Sequence, residues 1–386
     1  MRPHADRLNG IPPTIFSEMS ALALRTGAVN LGQGFPDQDG PKSVVRRAVR
    51  AMEEGQNQYP PGVGKPELRK AISRHQQRHY GLELDPDTQV VVTTGCTEAI
   101  AGAILGLVNP GDGVVVLEPY YDSYLAMIEF AGGVRRPVTL RAPEFRLDVA
   151  ALESAARGAR VMLINTPHNP TGTVLNRGEL AVISDIAIRH DLTVITDEVY
   201  EHLVFDGHEH IPLATFPGMF ERTVTLSSVG KSYSFTGWKV GWATGPPDLV
   251  AAVLGAKQWL SFTSGAPFQP AVALALDEEP DYPRELAADL SQRRDVLCEG
   301  LSEAGLTVRV PEGTYFATTD IAHLGWPDGR AFCLALPERA GVVAIPTQVF
   351  YDNVEAGRHL VRWAFCKNES VISEGIRRLA KADLFA

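Results

Sequence analysis

From about residue 41 onward, short continuous apolar runs alternate with stretches of helical periodicity. Gln89–Thr94, Val114–Glu118, Val161–Asn165, Leu192–Asp197, Arg222–Ser227 and Val240–Thr244 are brief, rich in aliphatic residues and bounded by turn formers. That pattern predicts strands buried on both faces. Ser43–Glu54, Pro66–Tyr80, Glu98–Val108, the stretch ending near Ala131, and Glu179–His190 carry the spacing of amphipathic or buried helices. The turn Asn109–Gly113 closes one helix before the next strand. This alternation predicts an α/β architecture with a mostly parallel sheet between helices.

A long helix is expected over Tyr282–Ala304. Beyond it, Leu306–Val310, Thr314–Thr318, Val342–Ile345 and His359–Phe365 read as strands with looser spacing, which suggests a smaller α+β domain. The Gly/Pro-rich start holds one short helix, Phe16–Thr26. The expected division is an N-terminal arm (1–40) belonging to the small domain, a large domain (41–281), and a linking helix with the C-terminal small domain (282–386).

In open parallel sheets, ligands bind beyond the carboxyl ends of the strands. Gly95-Cys96-Thr97 follows the first strand, and Pro119-Tyr120-Tyr121 the second. Asn165 and then His168-Asn169-Pro170-Thr171-Gly172 follow the third. Asp197-Glu198-Val199-Tyr200 follows the fourth, and Ser228-Val229-Gly230-Lys231 the fifth. A glycine before a helix exposes backbone N–H groups and a positive dipole end, suited to a phosphate. A carboxylate can pair with a protonated ring nitrogen, a phenol and an amide can bond a ring oxygen, and a semi-buried lysine can act as a Schiff-base amine. Together these describe a site for pyridoxal phosphate.

Composition narrows the partners. The 386 residues hold 36 Lys and Arg against 46 Asp and Glu, a net charge of −10, which argues against a nucleic-acid surface. Cys96, Cys298, Cys333 and Cys366 are far apart, without the spacing of a zinc knuckle or redox pair. No apolar run follows the first charges, so no signal peptide is expected, and no stretch is long enough to span a membrane. A cytoplasmic location is the expectation. Gly230-Lys231-Ser232 lacks the upstream glycine of a P-loop, and Gly32-Gln33-Gly34 lacks the continuation of a dinucleotide fingerprint. His202, His208 and His210 read as a solvated polar loop, so no metal site is expected.

The strings NLGQGFPD (30–37), NQYPPGVG (57–64), HNPTG (168–172), DEVY (197–200) and SVGKSYSFTGWKVGW (228–242), with the late Arg362, resemble the class I aminotransferases of pyridoxal-phosphate fold type I. The resemblance runs along essentially the whole chain and is strongest to the kynurenine/glutamine aminotransferase branch. TDEVYEHLVFD (196–206), GAPFQPAVALALD (265–277) and ALPERAGVVAIP (335–346) are most similar to actinobacterial N-succinyldiaminopimelate aminotransferases.

The resemblance implies a role for each matching position. Lys231 becomes the Schiff-base lysine and proton carrier. Asp197 holds the pyridinium nitrogen, Tyr200 and Asn169 bond the ring oxygen, and Tyr121 stacks on the ring. Gly95, Cys96, Thr97, Ser228 and Lys239 hold the phosphate, and Tyr59 reaches the phosphate of a neighbouring subunit, so a homodimer is implied. Arg362 grips the substrate carboxylate in a bidentate fork, assisted by Asn165 and Gly34.

The residues by themselves leave Tyr121 open as core filler and Arg362 as half of a structural ion pair. Lys239 stands where aspartate-type enzymes carry Arg, as in the kynurenine branch. Ser264, Gly265 and Phe16 replace larger aromatic or histidine side chains of the animal kynurenine enzymes, and Ile15 adjoins them in the expected substrate pocket. The implied reaction moves an amino group from an amino acid, with L-glutamate the expected donor, to a 2-oxo acid. The acceptor suggested is N-succinyl-2-amino-6-oxopimelate of lysine and diaminopimelate biosynthesis. The alternatives are a broad kynurenine/glutamine/methionine-type aminotransferase and a cysteine-conjugate β-lyase. A non-catalytic ligand sensor would need an added basic DNA-binding domain, for which the chain has no spare length.

Overall fold

The computed structural model describes residues 5–9, 11 and 13–386. The first four residues, read above for a leader, lie outside the described residues. A seven-stranded sheet forms the centre, in the spatial order Val90–Thr93, Gly241–Thr244, Thr223–Ser228, Thr193–Asp197, Ala159–Asn165, Gly113–Glu118, Val134–Thr139. Gly241–Thr244 runs antiparallel to both neighbours, and the other pairings are parallel. The inner strands are buried at successive positions because alternate side chains feed two different cores. Val115, Leu117, Met162 and Ile164 join the cluster holding Leu180, Ile183 and Ile186. Val114, Val116, Val161 and Leu163 join the cluster holding Ile100, Ile104 and Val253. Each such side chain removed from water contributes about 1.5–3 kcal/mol.

Val134–Thr139 and the helix Val149–Ala156 are additions to the sequence-based expectation. The strand lies at the sheet edge and carries Arg135, Arg136 and Pro137. An edge tolerates proline and charge, so the segment lacks the apolar run that marks its inner neighbours. The helix expected over Glu98–Val108 starts earlier, at Gly95, and the Glu98 side chain turns back to accept the Thr94 N–H at 2.6 Å.

The smaller sheet is antiparallel, in the order Ile345–Pro346, Leu360–Ala364, Phe316–Asp320, Thr307–Arg309. Phe316–Asp320 begins two residues later than expected over Thr314–Thr318, because Thr314 sits at φ 68° in a turn. The stretch expected as one strand over Val342–Ile345 divides in two. Val342–Val343 pairs in parallel with Val29–Asn30, and Ile345–Pro346 joins the antiparallel sheet. That division places the early helix Ile15–Thr26 against the C-terminal core, where Ile15 and Met19 share a cluster with Phe332, Val361 and Trp363. Among the described residues, no helix is long and apolar enough to cross a membrane.

One glycine fixes how the sheet meets the helix Gly95–Leu107. A Cβ on Gly241 would stand 2.6 Å from the Gly95 carbonyl carbon and 2.8 Å from the Cys96 nitrogen. Both are backbone atoms, so relief requires moving the helix start. Gly241→Ala is therefore expected to cost about 1–3 kcal/mol and to lower the melting temperature. An unchanged melting temperature in differential scanning calorimetry would contradict this close-packing account.

Candidate active site

A cavity of about 300 Å³ opens where the strand ends and the smaller sheet meet. Its lining includes Lys231, Asp197, Tyr200, Tyr121, Asn169 and Arg362. Gly95, Cys96, Thr97, Ser228, Lys239, Asn165, Gly34 and Phe16 also face it. Asp197 ends the strand Thr193–Asp197 and is 4% exposed. Its neighbour in register is Asn165, at the end of the adjacent parallel strand. The carboxylate accepts from Tyr124 Oη at 2.6 Å, from the Val199 N–H at 3.3 Å and from Cys96 Sγ at 3.5 Å. No ion pair is made to it among the described residues. Burial raises its pKa, opposed by the Tyr124 hydrogen bond. Such a carboxylate calls for a cationic or protonated partner inside the cavity.

Lys231 lies in the short helical turn Val229–Ser232 that follows the strand Thr223–Ser228. Its Nζ donates to Tyr315 Oη at 2.9 Å, and Tyr315 in turn donates to the Gly34 carbonyl at 2.6 Å. Desolvation lowers the Lys231 pKa to about 8, with Cys366 and Asp197 opposing and the charges of Arg362 and Lys239 acting the same way as burial. Near neutral pH a useful fraction of this amine is unprotonated and nucleophilic.

The phosphate-type corner is built from backbone. Gly95 begins its helix at φ 70°, and a Cβ there would meet Lys239 Nζ at 3.1 Å. The helix start and the Lys239 ammonium thus share one corner, with Ser228 in the same cavity lining, which suits an anion. Tyr121 packs edge-on against Tyr124 at 5.9 Å between ring centroids and lines the cavity.

Arg362 comes from the middle of Leu360–Ala364 and is 1% exposed. Its Nη1 donates to Asn169 Oδ1 at 3.0 Å and its Nη2 to the Gly32 carbonyl at 2.9 Å. Its Nε is buried with no hydrogen-bond partner. The guanidinium lies 3.9 Å from the Phe316 ring centroid, 5.0 Å from Phe16 and 5.7 Å from Phe350. Desolvation lowers its pKa to about 10. The structural ion pair left open by the sequence is absent among the described residues. An aromatic cage holding a cation with a free donor is shaped for a carboxylate.

Asn165 takes a backbone role. Its Nδ2 donates to the Asp197 carbonyl at 2.8 Å and its Oδ1 accepts the Asn169 N–H at 2.8 Å, so Asn169 is the amide that touches Arg362. Tyr59 stands apart from the cavity. It is 83% exposed, packs edge-on with Phe262 at 5.7 Å, and lines a surface hollow with Ser264 and Gly265. Tyr124 and Tyr315 were not singled out by sequence reasoning. A tyrosine one helical turn beyond the strand-end Tyr121 was the available signal for Tyr124, and Tyr315 offered none.

The family model for class I and II aminotransferases matches residues 26–379. The chain belongs to this family. The solved structure of N-succinyldiaminopimelate aminotransferase from Mycobacterium tuberculosis is 52% identical, covers 98% of this chain and 99% of its own, and superposes with a TM-score of 0.96. Methionine aminotransferase of Escherichia coli is 39% identical over 376 residues, covering 97% of each chain. Kynurenine–oxoglutarate transaminase of Dictyostelium discoideum is 36% identical over 408 residues, covering 96% of this chain and 94% of its own. The protein is thus a pyridoxal-phosphate-dependent aminotransferase of fold type I, with the large mixed sheet and smaller α+β portion described above.

Two consequences can be measured. Tyr124→Phe removes a short hydrogen bond to a buried charge, worth about 2 kcal/mol. The expected result is a kcat/KM about 10–100-fold lower with the fold intact; activity within twofold of the parent would contradict the role given to Tyr124. In the cofactor-free protein, labelling of Lys231 by reductive methylation should rise with pH to a midpoint near 8. A midpoint above about 10, where ordinary lysines titrate, would show that the amine is not desolvated as described.

Proposed function

We propose that the enzyme binds pyridoxal phosphate in this cavity and transfers an amino group from L-glutamate to N-succinyl-2-amino-6-oxopimelate. The observation that carries the reading is the buried, caged Arg362, which has a free Nε and no carboxylate of the protein against it. The residues fit the cofactor group by group. Asp197 fits a protonated ring nitrogen, the Gly95–Lys239 corner fits a phosphate, and Lys231 fits an aldehyde carbon. When bound, the cofactor supplies an electron-accepting ring conjugated to the substrate α-carbon.

The protein's own groups do the rest. Arg362 holds the α-carboxylate and so fixes which α-substituent faces Lys231. Lys231, unprotonated above about pH 8, takes the α-proton on Nζ and returns one from the same atom. Tyr315 Oη and the Gly34 carbonyl form the hydrogen-bonded path that orients Nζ. Asp197, held by Tyr124, would pair with the protonated ring nitrogen of the bound cofactor. Phe16 and Phe316 exclude water from the guanidinium, which strengthens its grip.

The acceptor is supported by the Mycobacterium tuberculosis relative, 52% identical along nearly the whole length. A homodimer is part of the same proposal. Tyr59, Trp259, Leu260 and Phe262 form an exposed apolar group, with Trp259 84% exposed. A second copy seated there would cover it and bring Tyr59 to its neighbour's phosphate corner. The expected cellular location is the cytoplasm.

Enzyme loaded with glutamate and freed of 2-oxoglutarate should regain its aldehyde-form absorbance on adding the succinylated acceptor. The expected kcat/KM for that acceptor exceeds those for the 2-oxo acids of methionine, glutamine and kynurenine by at least about tenfold. Equal rates would replace the proposed substrate with a broad-specificity reading. Arg362→Ala should lose at least about 100-fold in kcat/KM with every acceptor, whichever one is preferred.

A further inference from the structure

Of the three histidines expected in a solvated loop, His208 is exposed there, while His202 and His210 are drawn inward. His210 is buried and its Nε2 meets Glu198 Oε2 at 2.8 Å. His202 is partly buried, and its Nε2 lies 2.8 Å from the Nε2 of His75. Only tertiary packing brings these two together. His75 and His79 are four residues apart on the helix Pro66–Tyr80, hence on one face of it. The three rings stand 4.5 Å (His75–His79), 4.8 Å (His79–His202) and 5.0 Å (His75–His202) apart between centroids. One ring nitrogen from each lies within 4.8 Å of the others.

We propose that His75, His79 and His202 form a binding site for a divalent transition-metal ion of the zinc class, outside the catalytic cavity. Three imidazoles are a donor set that such ions favour, and they leave a fourth position for water. A tetrahedral ion with bonds of about 2.0–2.1 Å needs its nitrogens about 3.3 Å apart. The His75–His202 pair therefore opens slightly and His79 closes. His79 is exposed, so its ring is free to turn and its side gives the ion a route from solvent. Without an ion, two facing Nε2 atoms must share one proton, an arrangement an ion relieves.

A second, independent feature supports the site. Gln76 is 1% exposed, its Oε1 is buried without a hydrogen-bond partner, and its amide nitrogen lies 3.5 Å from His75 Nδ1. Once His75 Nε2 binds metal, its proton resides on Nδ1, and the turned Gln76 amide offers the acceptor that this proton needs. That is the usual outer support of a ligating histidine. Glu201 stands 4.0 Å from His202 Nε2 and supplies nearby negative charge, while Tyr80 and Ser227 bond its two oxygens at 2.6 and 2.5 Å.

His202 lies two residues after Tyr200 in the segment that begins at Asp197. An ion here would tie the helix Pro66–Tyr80 to that segment and stabilise the folded protein by mass action.

The test uses tag-free holoenzyme, stripped with chelator and dialysed against zinc at low micromolar free concentration. One zinc per chain is expected, with a melting temperature that rises with zinc. In H79Q, altered at an exposed position, affinity should fall at least about tenfold and the thermal response should vanish. His202→Asn serves as a second ligand variant, and cobalt substitution should give the visible absorption of a tetrahedral nitrogen site in the parent only. Zinc bound at less than one per chain in the parent, or H79Q binding as the parent does, overturns the proposal. Binding kept in H79Q but lost in Cys96→Ser overturns it too, by placing the metal in the cofactor cavity.

Discussion

Two buried charges left unpaired by the protein govern this molecule. Asp197 ends a strand of the large sheet, Arg362 sits within the smaller one, and neither has a protein counter-ion among the described residues. Burying an ion without a partner costs several kcal/mol. Hydrogen bonds from Tyr124 and Val199 lessen that cost for Asp197, and Asn169, Gly32 and three aromatic rings do so for Arg362. What they do not neutralise is left for a ligand with a cationic end and an anionic end. The cavity thus trades stability for affinity.

The fold serves this arrangement by bringing distant pieces of chain to one place. Parallel strands end side by side, so their following residues must meet. The smaller sheet approaches from the other side, and Tyr315 links the two by accepting from Lys231 and donating to Gly34. The early segment, paired through Val29–Asn30 with Val342–Val343, brings Gly34 and Phe16 to the cavity lining and the Gly32 carbonyl to Arg362. A Cβ on Gly34 would stand 2.5 Å from the Phe316 ring, so the backbone passes there only as glycine. The proposed metal site takes His202 from just past the same Asp197–Tyr200 segment and would tie that segment to the helix Pro66–Tyr80.

Much of the site was legible because it sits at strand ends. Gly95, Asn169, Asp197, Tyr200 and Lys231 each follow a buried apolar run, and such runs declare themselves by composition. The inner strands were placed within a residue or two for the same reason. The edge strand Val134–Thr139 escaped because charge and proline are tolerated where one side faces water. Tyr124 escaped because a tyrosine within a helix is usually core, and only its 2.6 Å contact with Asp197 gives it a task.

The sequence by itself determined the α/β alternation, the succession of strands along the chain and the chemical character of the cavity. Those depend on local patterning and on which residue ends each strand. Tertiary structure decided the partners. It chose Asn169 over Asn165 for Arg362, set Tyr315 on Lys231, left Tyr59 facing outward, and turned a histidine-rich loop into part of a three-imidazole cluster. The physical reason is range. A hydrogen bond or ring contact acts over a few ångströms, and residues 75 and 202 come that close only after the whole chain has packed.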